Sequence, residues 1–530
     1  MKKLQVWWPV LFAVTLIVGM WMGFSLRKNI PDGQGFFGTP KKASVQEVID
    51  LLQKKYVDSV HTDSLTEEAI QSMLGHLDPH TVYIPAVYTE AANEDLNGNF
   101  EGIGIEYYVI NDTVNAVNVL EKGPSAQAGV KMGDKIIKVG DSVVAGVKIT
   151  NERIRKLLRG PAGSEVAVKL LRNGQPLDVK IKRGTIPKFS VDAAYMISEN
   201  TGFIHLNKFS RTAYEEFMAA LEDLQKKGMK KLIFDIRGNG GGILEEAVDI
   251  ADEFLDQDKL ILYTEGLHAK RQEYHCKRPG LFEKGALVLL IDEFSASASE
   301  VLAGALQDWD RATIIGRRSF GKGLVQEPFE LSDGSQLRLT VSKYYTPSGR
   351  NIQKPFDKSK EAYQEEVYDR FHNGQAVVGD TAVHTGKVFK TIIKKRVVYG
   401  GGGITPDVFV AIDTISYSNA ARPLLYYKEL GKFVYQQYFK HPETYNQYKS
   451  AADFEKGFSI TSAILDAWAA EAGAGIDSIK SLTNADREAL NRRYKSFMSQ
   501  QIWQMNGYYQ FANTIDKTVL KGLETIKTLQ

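Results

Sequence analysis

The spacing of apolar positions changes repeatedly along the chain, and each change marks a segment. From Val6 to Leu26 no charged residue occurs; Lys2 and Lys3 precede the run, and Arg27 and Lys28 follow it. As a helix it would be about 31 Å long, enough to cross a hydrocarbon core once. The expectation is an uncleaved single-pass anchor over residues 1–28. A cleaved signal peptide is its rival, but its apolar region should be shorter, and only Gly23 and Ser25 offer small residues at cleavage spacing. Residues 29–95 are predicted to be helical. Val45, Val48, Ile49, Leu52 and Tyr56 recur at helical spacing, as do Ala69, Ile70, Met73 and Leu77. The stretch LDPHTVYIP, Leu77 to Pro85, then breaks the pattern with two prolines.

Residues 96–185 read differently. Short β-rich runs at 104–110, 113–119, 135–139, 164–171 and 178–182 are separated by turn pairs such as Asn111-Asp112 and Asn173-Gly174. One short amphipathic helix fits 152–158. This spacing predicts a small β-rich module. From 200 to 345 strands and helices alternate: strands at 202–209, 231–236 and 286–291, helices at 212–227, 243–255 and near 299–306. Such an order predicts α/β layers with function at the strand ends. Residues 354–400 form a polar, charged insertion of weak pattern, and 411–530 look helical and rich in aromatics.

Composition narrows the class. In 530 residues, 43% are hydrophobic and 25% charged, as in ordinary globular proteins. That excludes a wholly disordered chain, a collagen and a polytopic membrane protein. Sixty-six basic against 64 acidic residues leave a net charge of +2, so no global electrostatic case exists for a nucleic-acid partner. The lone cysteine, Cys276, can form neither an internal disulfide nor a cysteine-based zinc cage.

Three short motifs carry candidate chemistry. Ser297 lies in SASASE, Ser295 to Glu300, between an apolar strand and a helix. There its Oγ is exposed and the following amides can hold an oxyanion; the plain alternative is helix capping. Gly238-Asn239-Gly240-Gly241-Gly242 follows another buried strand. A phosphate loop would need a following Gly-Lys-Ser/Thr, and a dinucleotide loop a different glycine spacing, so an oxyanion loop remains beside them. Lys322 stands between Gly321 and Gly323, with Gln326 four residues on. A lysine in such a loop is ordinarily solvated; it serves as a general base only if burial lowers its pKa. Among nine histidines, none has nucleophile-elbow or metal-ligand spacing; His205 and His275 fall in the α/β region and stay open as rival bases.

Together these pieces resemble the carboxyl-terminal processing (tail-specific) proteases, the S41 serine peptidases with a PDZ domain. The matching segments are LDPHTVYI, FEGIGI, GPSAQAGVKMGDKI, IFDIRGNGGG, SASASE, GKGLVQ, YYTPSGRNIQ and GGITPD, within residues 45–410. The resemblance implies an α/β protease core of layered βα units, ClpP/crotonase-like, at 186–410. It also implies a PDZ domain at 96–185, an N-terminal helical segment, and beyond the family's minimal unit a C-terminal helical extension at 411–530. It implies Ser297 as nucleophile, Lys322 as general base and Gln326 as the group orienting that base. Oxyanion donors map to Gly241 or Gly242 and to Ala298. FEGIGI is the expected carboxylate loop, with Gly102, Ile103, Gly104 and Ile105 binding a chain end by strand addition. Arg159 is expected to sense the bound carboxylate or the protease core, or else to be a solvated helix-end cation.

The expected activity is serine endopeptidase cleavage of proteins recognised by apolar C-terminal tails, with no metal or other cofactor. The resemblance also implies a bacterial inner-membrane protein with its protease in the periplasm. For the C-terminal helices, with Leu424, Leu425, Tyr426, Phe433, Tyr435 and Tyr438, docking on the core, homo-oligomerisation and adaptor binding all stay open. A catalytically dead PDZ scaffold and an acyl-CoA enzyme are the rival readings, and the intact Ser297, Lys322 and Gln326 disfavour the scaffold.

Overall fold

A computed structural model describes residues 7–27, 44–356, 359–379, 386–413 and 417–529. The chain divides into two compact units, Met1–Leu74 and Gly75–Gln530. In the first lie the helices Trp8–Arg27 and Ser44–Lys55, and Thr62–Gly75 ends at its boundary. The last two fall where the apolar spacing puts them.

The first helix corrects the anchor. Among the described residues, no helix is long and apolar enough to cross a membrane. The single-pass inner-membrane placement, and the periplasmic side that came with it, are overturned. Lys2, Lys3, Val6 and Lys28, which framed that expectation, lie outside the described residues.

The second unit is built on a six-stranded sheet. Its order is Val191–Met196, Thr201–Leu206, Lys231–Asp235, Leu287–Ile291, Thr313–Gly316, Val408–Phe409. The first pair is antiparallel and every later neighbour is parallel. The helices Ala213–Lys226, Leu244–Asp252 and Ala298–Asp308 follow successive strands and share one core with them. Alternate residues explain the unbroken apolar runs of these strands. Leu232, Phe234, Leu287, Leu289 and Ile291 pack with those helices. Ile233, Val288, Leu290 and Ile315 pack with Val519 and Ile526 of the helix Lys517–Thr528. At Gly522 a Cβ would stand 3.5 Å from Ile233 and Val288, in ordinary contact, so this helix lies directly against the sheet. The last helix of the expected extension is therefore part of the core of the central sheet.

A second sheet stands beside the first. Gln336–Tyr345 pairs antiparallel with Val82–Ile84, Leu260–Glu265 and Leu324–Glu330. It brings the Leu77–Pro85 stretch against the strand that carries Gln326. The β-rich module is a third sheet, running Ile105–Ile110, Thr113–Val119, Lys135–Val139, Glu165–Arg172, Gln175–Lys182. The helix Asn151–Leu158 packs on it through Ile154 and Leu158. A two-stranded ribbon, Asn99–Gly102 with Gly184–Pro187, joins the module to the rest.

The remaining C-terminal helices build a cluster of their own around Phe433, Phe454, Trp468 and Tyr494. Leu424 and Leu425 belong to it, while Tyr426 is exposed. This cluster also touches the β-rich module. Tyr435 stacks obliquely on Tyr108 and reaches the Ala116 carbonyl, Gln501 donates to the Val117 carbonyl, and Phe439 fills the space beside Gly133. The helix Asn484–Ala512 breaks at Trp503 and Gln504, where Gln504 takes φ 57°. Asn118 donates to the Gln504 side chain. Beyond the break, Asn506 accepts the Ala194 N–H and Tyr509 meets His205 at the edge of the central sheet.

The described residues of the charged insertion have regular structure. They include the helix Lys360–His372, the short helix Gln375–Val378 and a hairpin of Val388–Lys390 with Val397–Tyr399.

Candidate active site

Ser297 sits where the strand Leu287–Ile291 turns into the helix Ala298–Asp308, with φ 58° and ψ −114°. A non-glycine residue there is strained by about 1–3 kcal/mol and persists only when its surroundings fix it. They do. The buried Ser295 donates its hydroxyl to the Ile236 carbonyl, Ala296 N–H bonds the Asn239 carbonyl, and Ser299 Oγ bonds that same carbonyl. Asp292 accepts the N–H of Gly238. The glycine loop and the serine loop are thus stitched edge to edge.

At Gly241 and Gly242 the loop has no room for a side chain. A Cβ on Gly241, whose φ is +96°, would stand 2.9 Å from Ser297 Cβ and 3.0 Å from Ala298 N. Asn239 Oδ1 accepts the Gly241 N–H at 2.9 Å. That amide is thus engaged within the loop itself. Gly242 bridges Phe209 in parallel, a contact made by the Gly241 carbonyl and the Ile243 N–H. Its own N–H is left out of that bridge. Ala298 opens its helix, where an N–H has no acceptor one turn back.

Glu300 joins the serine to the lysine. Its carboxylate is fully buried and accepts four donors. Oε2 takes the N–H of Ser297 at 2.9 Å and of Lys322 at 2.8 Å; Oε1 takes Ser319 Oγ at 2.5 Å and Gly321 N–H at 2.7 Å. Burial raises the Glu300 pKa, and these four bonds pull the other way.

Lys322 Nζ donates to Gln326 Oε1 at 2.7 Å, and Gln326 Nε2 donates to the His80 carbonyl. The whole lysine is half-buried, but its amine is enclosed by protein. That enclosure lowers its pKa to about 8, against the opposing pull of Glu300 and Asp78. His80 itself is pushed down to about 3 by burial and by the Lys322 charge, so its ring is neutral. It bonds Tyr363 through Nε2 at 2.9 Å. Asp78 shapes the turn below it, accepting Thr81 Oγ1 at 2.6 Å and the N–H groups of His80 and Thr81.

The rival histidines are engaged elsewhere. His205 lies between Tyr509 and Asp192, and His275 between Asp258 and Glu273. Ser297, Lys322, Gln326, Ala298, Gly241 and Gly242 therefore converge on one site. The sequence reading missed Glu300, Ser319, Asn239 and His80. Glu300 had a legible signal, since S-x-x-E across a helix start is a capping box.

The β-rich module carries the other expected residues. Ile103 is buried, Gly104 turns at φ +71°, and Ile105 begins a strand whose outer edge pairs with nothing in its sheet. Arg159 lies beside Gly102 and over the Phe100 ring. Its Nη1 bonds both carboxylate oxygens of Glu94, at 2.7 and 2.8 Å, on the helix Ala86–Asn97. This pair ties the β-rich module to a helix that lies outside residues 186–410.

The model of peptidase family S41 matches residues 200–357, that of the PDZ domain residues 102–182, and that of the activating protease CtpB N-terminal domain residues 32–86. Over 313 residues the chain is 36% identical to a carboxy-terminal-processing protease of Bartonella bacilliformis, covering 58% of this chain and 71% of that one. It is 35% identical over 317 residues to the carboxy-terminal processing protease CtpB of Bacillus subtilis, covering 58% of this chain and 65% of that one, slightly under two thirds. Among solved structures, the photosystem II D1 C-terminal processing protease overlaps 58% of this chain and 88% of its own, at 28% identity and a TM-score of 0.33.

Proposed function

The chain belongs to peptidase family S41, and from that premise we propose that it is a serine endopeptidase with a serine–lysine dyad, acting on proteins that present apolar C-terminal tails. The supporting observation is the Glu300 carboxylate, which holds the backbone of Ser297 and of Lys322 on one oxygen. It sets a strained serine near a lysine whose enclosed amine is half neutral at about pH 8.

The tail adds as a strand along Ile105–Ile110, its carboxylate at the Gly102–Gly104 turn and its last side chain near Ile103 and Ile105. At the protease site, neutral Lys322 takes the proton from Ser297 Oγ as Oγ bonds the scissile carbonyl carbon. The N–H groups of Ala298 and Gly242 hold the oxyanion. The C–N bond then breaks, and the leaving amine takes the proton from Lys322. Water, deprotonated by the same lysine, attacks the acyl-enzyme and frees Ser297. The chemistry calls on no metal or nucleotide.

The test is incubation of the purified chain with an unstructured protein ending in apolar residues, beside Ser297→Ala and Lys322→Ala, with mass spectrometry of the products. Fragments from the parent protein alone support the dyad. Turnover by either folded variant overturns it.

A further inference from the structure

The insertion carries a helix whose one face meets the lysine loop from both sides. Tyr363, Glu366 and Arg370 are spaced three and four residues apart on Lys360–His372, hence on one face. Arg370 is nearly buried. Its Nη1 donates to the carbonyls of Arg318 at 3.0 Å and Ser319 at 2.8 Å, and its Nη2 to that of Phe320 at 3.3 Å. Those three carbonyls immediately precede Gly321 and Lys322. Ser319 is the residue whose hydroxyl bonds Glu300.

Tyr363 works from the other side. Its hydroxyl meets His80 Nε2 at 2.9 Å and Gln353 Nε2 at 3.0 Å. Gln353 Oε1 accepts the Gly323 N–H, and the His80 carbonyl accepts Gln326. Glu366 lies between, bonding Arg370 and Lys354. Lys354 donates its N–H to the Gly321 carbonyl and lies over the rings of Phe320 and Tyr363. The guanidinium is thus spent on the backbone carbonyls of one loop and on one carboxylate. A helix needing only to be packed down would have no use for three consecutive carbonyls.

We infer that the insertion helix splints the general-base loop, with Arg370 and Tyr363 as positioning residues that hold Lys322 in its working place. The inference rests on the serine–lysine reading above. Tyr363 also reaches the amine indirectly, through His80, whose carbonyl holds Gln326, the acceptor of Lys322 Nζ. The charged or titratable groups facing Lys322 are Glu300, Asp78, Arg338 and Lys208, with His80 beside it.

The experiment compares the parent enzyme, Arg370→Ala and Tyr363→Phe on one apolar-tailed substrate, reading kcat and KM from about pH 6 to about pH 10. A parallel series adds free guanidinium to Arg370→Ala. The expected result is a loss of about tenfold or more in kcat for Arg370→Ala with KM within about twofold, partly restored by guanidinium. In both variants the rising limb of the pH profile moves to higher pH by about half a unit or more, as the amine gains water. If both variants melt like the parent and keep its kcat and pH profile, the splint is overturned while the protease reading stands. If Arg370→Ala fails to fold, Tyr363→Phe, which loses one hydroxyl, decides alone. A parent protein that cuts nothing overturns the protease reading, and the splint with it.

Discussion

The backbone N–H groups of Ser297 and Lys322 end on the same atom, Oε2 of Glu300, at 2.9 and 2.8 Å. Twenty-odd residues of chain separate them, and one buried carboxylate fixes both. Glu300→Ala leaves three amides and a hydroxyl unpaired, each costing about 1–3 kcal/mol when buried. Glu300→Gln keeps the volume but turns an amide NH₂ towards N–H donors. Both variants should lose at least about a hundredfold in cleavage rate, and the alanine variant should also melt well below the parent. A Glu300→Ala enzyme with the parent's rate and melting temperature would refute this.

The pH profile follows from Lys322. A base is active when neutral, and with a pKa near 8 about one molecule in ten is ready at pH 7. The cleavage rate should therefore climb through pH 8 and level above it. A rate already flat at pH 6 would exclude Lys322 as the titrating base.

Burying an amine costs stability. The folded pKa lies below the unfolded value, so below pH 8 the folded state alone bears the strain of a protonated, enclosed lysine, and stability rises as pH climbs from about 8 towards 10.5. Lys322→Met should abolish cleavage yet stabilise the protein by about 1–3 kcal/mol at pH 7. Denaturant unfolding of the two proteins measures it.

Gln326→Glu tests the neighbour of the base. A carboxylate in place of the amide oxygen that accepts Lys322 Nζ favours the charged amine. The rising limb should move to higher pH by about one unit or more, and an unmoved limb would show that Gln326 does not set the amine's surroundings.

The helix Lys517–Thr528 should behave as core. Val519→Ala and Ile526→Ala each remove apolar volume from the second face of the central sheet, at about 1–2 and about 2–5 kcal/mol respectively. Losses below about half a kcal/mol in urea unfolding would mean that the helix is dispensable.

Much of this was legible in the sequence, and the gaps have physical causes. The strands around Ile233, Val288 and Leu290 read as buried because they are covered on both faces. What covers the second face was not legible, since Val519, Leu523 and Ile526 mark an apolar helix face without naming what it packs on. Ser297, Lys322 and Gln326 stood out through their glycine and serine settings. Glu300 was legible only as the end of a capping box and Ser319 not at all, because the burial of a carboxylate or a hydroxyl leaves no mark in sequence. The insertion read as weakly patterned for the same reason: its inward face is made of Glu366 and Arg370, which are inside because they satisfy each other and the loop carbonyls. The membrane anchor was read from an uncharged run alone, and among the described residues no helix is long and apolar enough to cross a membrane.

The helix that closes the central sheet is made late. The strand Thr313–Gly316 is about 200 residues ahead of it, so at about 5–20 residues per second a ribosome needs about 10–40 s between them. For that interval Phe203, Ile233, Val288 and Leu290 have no cover on one side. The nascent chain is sticky during that time, and a holding chaperone has its clearest substrate there. The enzyme's yield in a cell should then depend on how quickly, and in whose company, its last hundred residues arrive.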